Sequence, residues 1–169
     1  DGAEQLLVHV FSGVAVVGRD FWSAKKGRDA LTVEWDDTAA LKASSADLMT
    51  QFKALAQKPG AVARKDGDAA GALAKAAKKI EGEFEFPYLS HASMEPLNCV
   101  VHLTKDGCEV WNGEQNQTGD QFALSAVLGL KPDQVRLNQL MVGGSFGRRA
   151  NPKSDYLVEA AFIAKALAT

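Results

Sequence analysis

The sequence has little of what metal, redox and nucleic-acid sites are usually built from. Cysteine occurs twice, as Cys99 and Cys108, and histidine three times in 169 residues. Two thiols cannot by themselves hold an iron–sulfur cluster or a structural zinc ion, and spacing alone does not show whether they pair. No apolar run approaches the roughly 18 to 20 residues that a membrane-spanning helix needs. Positive charge is not in excess: 19 Lys and Arg face 21 Asp and Glu, a net charge of −2 that argues against a module living on phosphate attraction and hence against a nucleic-acid partner. Neither cysteine has a histidine spaced to serve as its base. The chain opens on Asp1-Gly2 without an initiator Met or an apolar leader, and so reads as a processed protein or a piece of something longer.

What is present suits a folded domain. Hydrophobic residues make up 46% and charged residues 24% of an 18.0 kDa chain, enough to close a core. Short Val-rich runs at Leu6 to Phe11 and Val14 to Val17 read as strands. Asp20 is placed to cap a helix through about Asp29, and the alternating Leu31 to Trp35 reads as a further strand, so that residues 14 to 36 form a β–α–β unit. Ser44 to Asp47 fits a capping box. Leu48, Met49, Phe52, Leu55 and Ala56 then share one helical face, with Met49 read as core rather than ligand, until Pro59-Gly60 ends the helix.

Residues 58 to 68 are polar and linker-like, and Asp68 caps an Ala/Lys helix to Lys79. From Ile80 to Tyr88 apolar residues alternate with Glu81, Glu83 and Glu85, the pattern of a strand with one wet side. Strands are expected at Asn98 to Thr104 and Cys108 to Trp111 around an Asp106-Gly107 turn. Thr118 to Gln121 reads as a capping box for a helix ending near Gly129, and Val135 to Val142 as a strand. Asn151-Pro152 reads as the start of a last helix to Leu167 that is apolar nearly all round, which predicts cover from a self-associating neighbour or from rearranged strands. The fold class is α+β.

Two segments are candidates for chemistry. Gly143-Gly144-Ser145-Phe146-Gly147-Arg148-Arg149 joins a strand to a helix, where glycines admit positive φ and bring N–H groups close to a ligand. Lys131, Arg136, Arg148, Arg149 and Lys153 face only Asp133 over this stretch, which points to an anion site; a tight turn with solvated arginines explains the same residues. The loop is neither Gly-x-Gly-x-x-Gly nor a P-loop. His91 and Glu95 are four apart, but Pro96 argues against a helix and no third ligand is near, so a histidine hydrogen-bonded within the fold is preferred to a metal site. His9 and His102 fall in strand patterns and read as structural or surface residues.

Taken in order, the run Phe21-Trp22-Ser23 to Ala30-Leu31 with Val33 to Asp36, the segment Pro59 to Arg64, and His91 to Asn98 with Trp111 and Gly143 to Arg149 resemble large subunits of the xanthine oxidase family of molybdenum hydroxylases, in the branch of the isoquinoline 1-oxidoreductases. The resemblance implies the end of an α/β hammerhead-like domain over residues 1–37, a helical connection and linker over 38–79, and the first part of a molybdopterin-binding domain over 80–169. It implies a molybdenum centre held by a pyranopterin dinucleotide, the cytosine form, with no protein ligand to the metal and so no metal ligand in this chain. Partners would be a small-molecule substrate and a separate small [2Fe-2S] subunit, which agrees with the low cysteine count.

By position, the resemblance makes Gln115 the amide that approaches the metal's oxo group, and Gly144, Ser145, Phe146 and Gly147 the loop that brings N–H groups to the cofactor, with Arg148 beside it. Ser145 replaces the usual middle glycine. Glu114 replaces a frequent threonine and puts a negative charge near an anionic cofactor. Ala150 stands where purine-specific members carry a glutamate, so a purine substrate is not expected. The family's general base lies beyond these residues, so no catalytic residue is expected here, and this piece alone is expected to be inactive and without cofactor. Relatives with a twin-arginine signal leave the compartment open between periplasm and cytoplasm. A second reading is a non-catalytic binding or interaction module that kept the family shape.

Overall fold

A computed structural model of the chain describes the backbone of residues 6–10 and the whole of residues 13–168. Asp1-Gly2 and Phe11 lie outside the described residues, as does the side chain of His9. Two compact units form: one from residues up to Glu34 together with those from His91 onward, the other from Trp35–Ser90.

The first unit holds the core. Strands β1 (Leu6–Val10) and β2 (Gly13–Val17) pair antiparallel, and helix α1 (Phe21–Asp29) follows, with Asp20 accepting a 2.8 Å hydrogen bond from the Ser23 N–H as its cap. Residues 31–35 form no strand, against the expected β–α–β unit: alternation marks a strand only where an edge is free to receive it, and here Val33 and Trp35 lie in solvent.

In the second unit, α2 (Ser45–Ala56) begins in the expected capping box, with Ser44 and Asp47 bonded reciprocally. Its apolar face is only partly covered: Met49 is half-buried, and Leu55 is exposed. Helix α3 (Ala69–Lys75), capped by Asp68, stops a turn before Lys79. Residues 80–88 are not a strand. Glu83 and Glu85 both pair with Lys53 of α2, yet every residue from 80 to 90 is exposed, Phe84 and Phe86 about four-fifths so, and the segment has no dry face. Tyr88 alone returns, edge-on to Phe52 with ring centroids 6.3 Å apart.

The larger sheet lies in the first unit. Strand β3 (Val100–Leu103) pairs antiparallel with β4 (Cys108–Asn112), and β4 pairs parallel with β5 (Val135–Gln139). The β3–β4 turn closes where Thr104 N–H donates to Gly107 O at 2.9 Å. A parallel pair needs a crossover, supplied by α4 (Gln117–Leu128), which ends on Gly129 at φ 71°. Thr118 is not the cap of α4. The helix begins at Gln117, and Gln121, expected to complete a capping box with Thr118, instead donates from Nε2 to Val135 O at 2.9 Å.

Helix α5 (Asp155–Leu167) packs on α4 and β3 and closes the core of Cys108, Val110, Leu124, Val135, Tyr156, Leu157 and Ala161. It starts later than Asn151-Pro152 would place it. The Asn151 side chain accepts from Lys153 N–H in a turn, and Ser154 sits at φ 50°, its hydroxyl committed to Asp120. This chain buries Tyr156, Leu157 and Ala161 of the helix and half-buries Val158, Phe162 and Ile163, while Leu167 stays exposed.

Leu124→Ala is expected to cost about 2–5 kcal/mol by leaving a cavity in this core, whereas Phe86→Ser is expected to stay within about 0.5 kcal/mol. Urea unfolding of the 169-residue chain measures both.

Candidate functional site

Strand β5 ends at Gln139 rather than Val142, and the chain enters the glycine loop. Leu140 N–H still reaches Asn112 O at 2.8 Å, which carries the pairing one step beyond the sheet. Gly143 N–H donates to Glu95 Oε2 at 2.6 Å, and Met94 N–H donates to Gly144 O at 2.9 Å, so residues 94 and 95 grip the loop entrance. A Cβ on Gly143 would lie 2.7 Å from Glu95 Oε2 and 2.9 Å from its Cβ, so no side chain fits there without displacing Glu95.

Three residues then take positive φ: Gly144 at 90°, Phe146 at 53° and Gly147 at 94°. For Phe146 this is a strained conformation, held by turn bonds from Arg148 N–H to Ser145 O and from Ala150 N–H to Gly147 O, both 3.0 Å. Among the described residues, the N–H groups of Gly144, Ser145, Phe146 and Gly147 donate to no protein acceptor. The Phe146 ring is exposed, while Ser145 is buried with its hydroxyl unpartnered. Main-chain N–H donors left unpaired on a tightly curved backbone are groups of the kind that bind anions.

The arginines do not supply the charge that their spacing suggests. Arg148 forms a two-pronged pair with Asp155, at 3.1 and 2.6 Å, and its hydrogen bonds hold the Asp155 carboxyl below the usual range. Arg149 is 0% exposed. Its guanidinium donates to Gly113 O at 3.0 Å, Asn98 O at 3.3 Å and Pro96 O at 3.4 Å, pairs with Glu95 at 3.3 Å, and lies 5.4 Å from the centre of the Tyr156 ring. With both cations committed internally, attraction for an anion falls to the backbone donors. Nothing in the spacing announced the partnership of Arg149 with Glu95, 54 positions earlier.

The structure brings Gln115 to the same loop. Its Oε1 accepts the Arg149 N–H at 3.2 Å, which settles the amide orientation, because a backbone donor can face only the carbonyl oxygen. The Gln115 Nε2 then points away from that bond with both protons available. His91 is exposed and close to the loop: its Nε2 is 3.7 Å from where a Cβ on Gly147 would stand. Glu95, the other half of the weak metal pattern, is spent on Asn98, Gly143 and Arg149, bonds that keep its carboxyl below the ordinary range. No cluster of three or more His, Cys, Asp or Glu that could hold a metal occurs among the described residues. His102 is exposed on β3. Cys99 and Cys108 are free thiols, and burial pushes the first up to about 11.

Glu114 is the residue whose consequence sequence reasoning misjudged. It is 3% exposed, and neither carboxylate oxygen has a hydrogen-bond partner. Burial, then the nearby Asp120 charge, pushes its pKa up to about 7; the adjacent Asn112 amide opposes the shift without reaching hydrogen-bond geometry. The negative charge expected beside an anionic cofactor is therefore partly removed by proton uptake at neutral pH. Asp120 is also raised by burial, although its Oδ1 accepts the Ser154 hydroxyl at 2.6 Å.

A carboxyl raised from 4.5 to about 7 is favoured in its protonated form by folding. Its ionisation therefore costs stability as pH rises through that interval. Glu114→Gln is expected to raise the melting temperature at pH 8 and to change it little at pH 4.5, as thermal unfolding at the two pH values would show.

Comparison with known proteins follows this geometry. The molybdopterin cofactor-binding domain matches residues 54–169. Isoquinoline 1-oxidoreductase subunit beta of Brevundimonas diminuta is 33% identical over 94% of this chain and 22% of its own length. A membrane-bound aldehyde dehydrogenase [pyrroloquinoline-quinone] of Gluconacetobacter polyoxogenes is 31% identical over 91% of this chain and 20% of its own. The aldehyde oxidoreductase molybdenum-binding subunit PaoC of Escherichia coli (strain K12) is 31% identical over 60% of this chain and 14% of its own. The chain thus spans about a fifth of the length of the first two of these relatives. On these matches the chain belongs to the molybdopterin cofactor-binding domain family of the molybdenum hydroxylases.

Proposed function

We propose that the chain is part of a molybdenum hydroxylase large subunit that oxidises an N-heterocycle or an aldehyde with oxygen derived from water and passes electrons to iron–sulfur clusters on a separate small subunit. The observation that carries the reading is the Gly144–Gly147 turn, with four unpartnered N–H groups, one hydrogen bond away from an amide whose donor end is free. The matched family and the share of its relatives that the chain spans support it.

The residues fit the cofactor. Gly144, Ser145, Phe146 and Gly147 would hold it through main-chain donors, which discriminate by shape and partial charge without adding a counter-charge. Gln115 would donate from Nε2 to an oxo group, a task for which a neutral amide is suited. When bound, a molybdenum cofactor, in our reading its cytosine dinucleotide form, supplies the oxidation–reduction chemistry. This chain's own part is to bind and orient. Arg148, committed to Asp155, supports the turn from behind and adds no free cation. Ala150 offers no carboxylate to a purine ring, which favours the other substrate classes. The division into residues 1–37, 38–79 and 80–169 remains our reading of how the family's domains divide this sequence.

Because the family's general base and most cofactor contacts lie outside these residues in our reading, the isolated chain should hold no stoichiometric molybdenum and should not turn over. About one molybdenum per chain by elemental analysis would overturn this. In the holoenzyme, Gln115→Ala is expected to lower turnover roughly three- to tenfold or more, the worth of one hydrogen bond in a shielded site, with cofactor content nearly retained. Gly147→Val is expected to abolish cofactor insertion, since φ 94° excludes a β-branched residue even though the added Cβ would meet only His91 Nε2, at 3.7 Å. Molybdenum content and rate, measured together, separate the two roles, and the opposite pattern would refute both assignments.

A further inference from the structure

We propose that Arg149 is a positioning residue for this site: its main chain orients the Gln115 amide, and its guanidinium, through Glu95, fixes the entrance of the Gly143–Gly147 loop. The inference rests on the reading of Gln115 and that loop as cofactor contacts, and it assigns the reason they are held in register.

Three observations combine. The Arg149 N–H donates to the side-chain carbonyl oxygen of Gln115 at 3.2 Å, so a flipped amide would set an NH2 against an N–H, and the donor end must face away. The guanidinium meets Gly113 O at 3.0 Å, two residues before Gln115, which fixes the main chain that carries the amide. The same guanidinium pairs with Glu95, whose other oxygen accepts the Gly143 N–H at 2.6 Å. One buried cation therefore sets the geometry of both halves of the site while contributing no charge to its surface. The arrangement needs a planar fork. Nη1 serves Gly113 and Asn98 while Nη2 serves Pro96 and Glu95, a spread of donors that the single ammonium of lysine cannot reproduce.

The role is distinct from packing, since Arg149 has two separable outputs. Its backbone reaches Gln115, and its side chain reaches Gly143 through Glu95. Substitution of Glu95 should disturb the second output and leave the first.

Hydrogen exchange and side-chain amide NMR on the 169-residue chain test this without any cofactor, so failure here leaves the cofactor reading standing, and failure of the cofactor tests leaves this one standing. In Arg149→Lys, the Gly143 N–H and the residue 149 N–H, which donates to Gln115, are expected to exchange about tenfold faster and the Gln115 side-chain NH2 to shift or broaden, while core amides at Val110, Leu124 and Leu157 keep their protection. In Glu95→Gln, the Gly143 N–H is expected to change while the Gln115 amide does not. Unchanged Gly143 and Gln115 signals in a folded Arg149→Lys would overturn the proposal. Should Arg149→Lys not fold, Glu95→Gln decides: an unchanged Gly143 N–H, or a uniform loss of core protection, assigns Arg149 to packing alone.

Discussion

The buried guanidinium of Arg149 is the interaction on which the rest of the site depends. An unpaired cation in a protein interior is prohibitively costly, and breaking a buried pair by removing one partner typically costs about 3–5 kcal/mol. Arg149 meets that requirement by gathering acceptors from three places: the Glu95–Asn98 segment, the residue just past β4 and the aromatic face of Tyr156 on α5. Each of those elements is thereby held against the others. The glycine loop lies between β5 and Arg149 and inherits its curvature from anchors at both ends.

A second polar set sits beneath the first. Asn112 donates to the Tyr156 hydroxyl at 2.7 Å, Tyr156 lies within 3.3 Å of Gly113 O, and Ser154 donates to Asp120. Acceptors outnumber donors there: Asn112 Oδ1, both oxygens of Glu114 and Asp120 Oδ2 have no partner. Burial disfavours the ionised carboxyl and too few donors are at hand to offset it, which is why Glu114, with the Asp120 charge adding to the effect, and Asp120 are both raised. The site thus combines neutral main-chain donors, a neutral amide, internally balanced arginines and a carboxyl partly neutralised by its own burial. It is polar without being strongly charged.

Local devices were the most legible part of the fold. The Asp20, Ser44 and Asp68 caps, the Asp106-Gly107 turn and the Gly129 helix end depend on residues within a few positions of one another, so their chemistry is written in neighbouring letters. Strands at residues 31–35 and 80–88 were misread because alternation reports amphipathicity, whereas a strand also needs a partner edge. In the second case Lys53 pairs with two of the glutamates, and both sides of the segment stay exposed. The starts of α4 and α5 differ from their local signals because the side chains are used elsewhere: Gln121 donates to Val135 O, Asn151 accepts from Lys153 N–H in a turn, and Ser154 is bonded to Asp120 across 34 positions.

For the candidate site, the sequence by itself determined the types: glycines where φ must be positive, an amide rather than a charged group at position 115, and a loop between strand and helix. Those choices follow from backbone sterics and side-chain chemistry, which act locally. Only the tertiary structure decided where the charges go. Arg148 and Arg149 looked available for an anion, and Glu114 looked ionised, until Asp155, Glu95 and a dry interior claimed them. Charge is settled by distance and desolvation, and neither exists until residues far apart in the chain have been packed together.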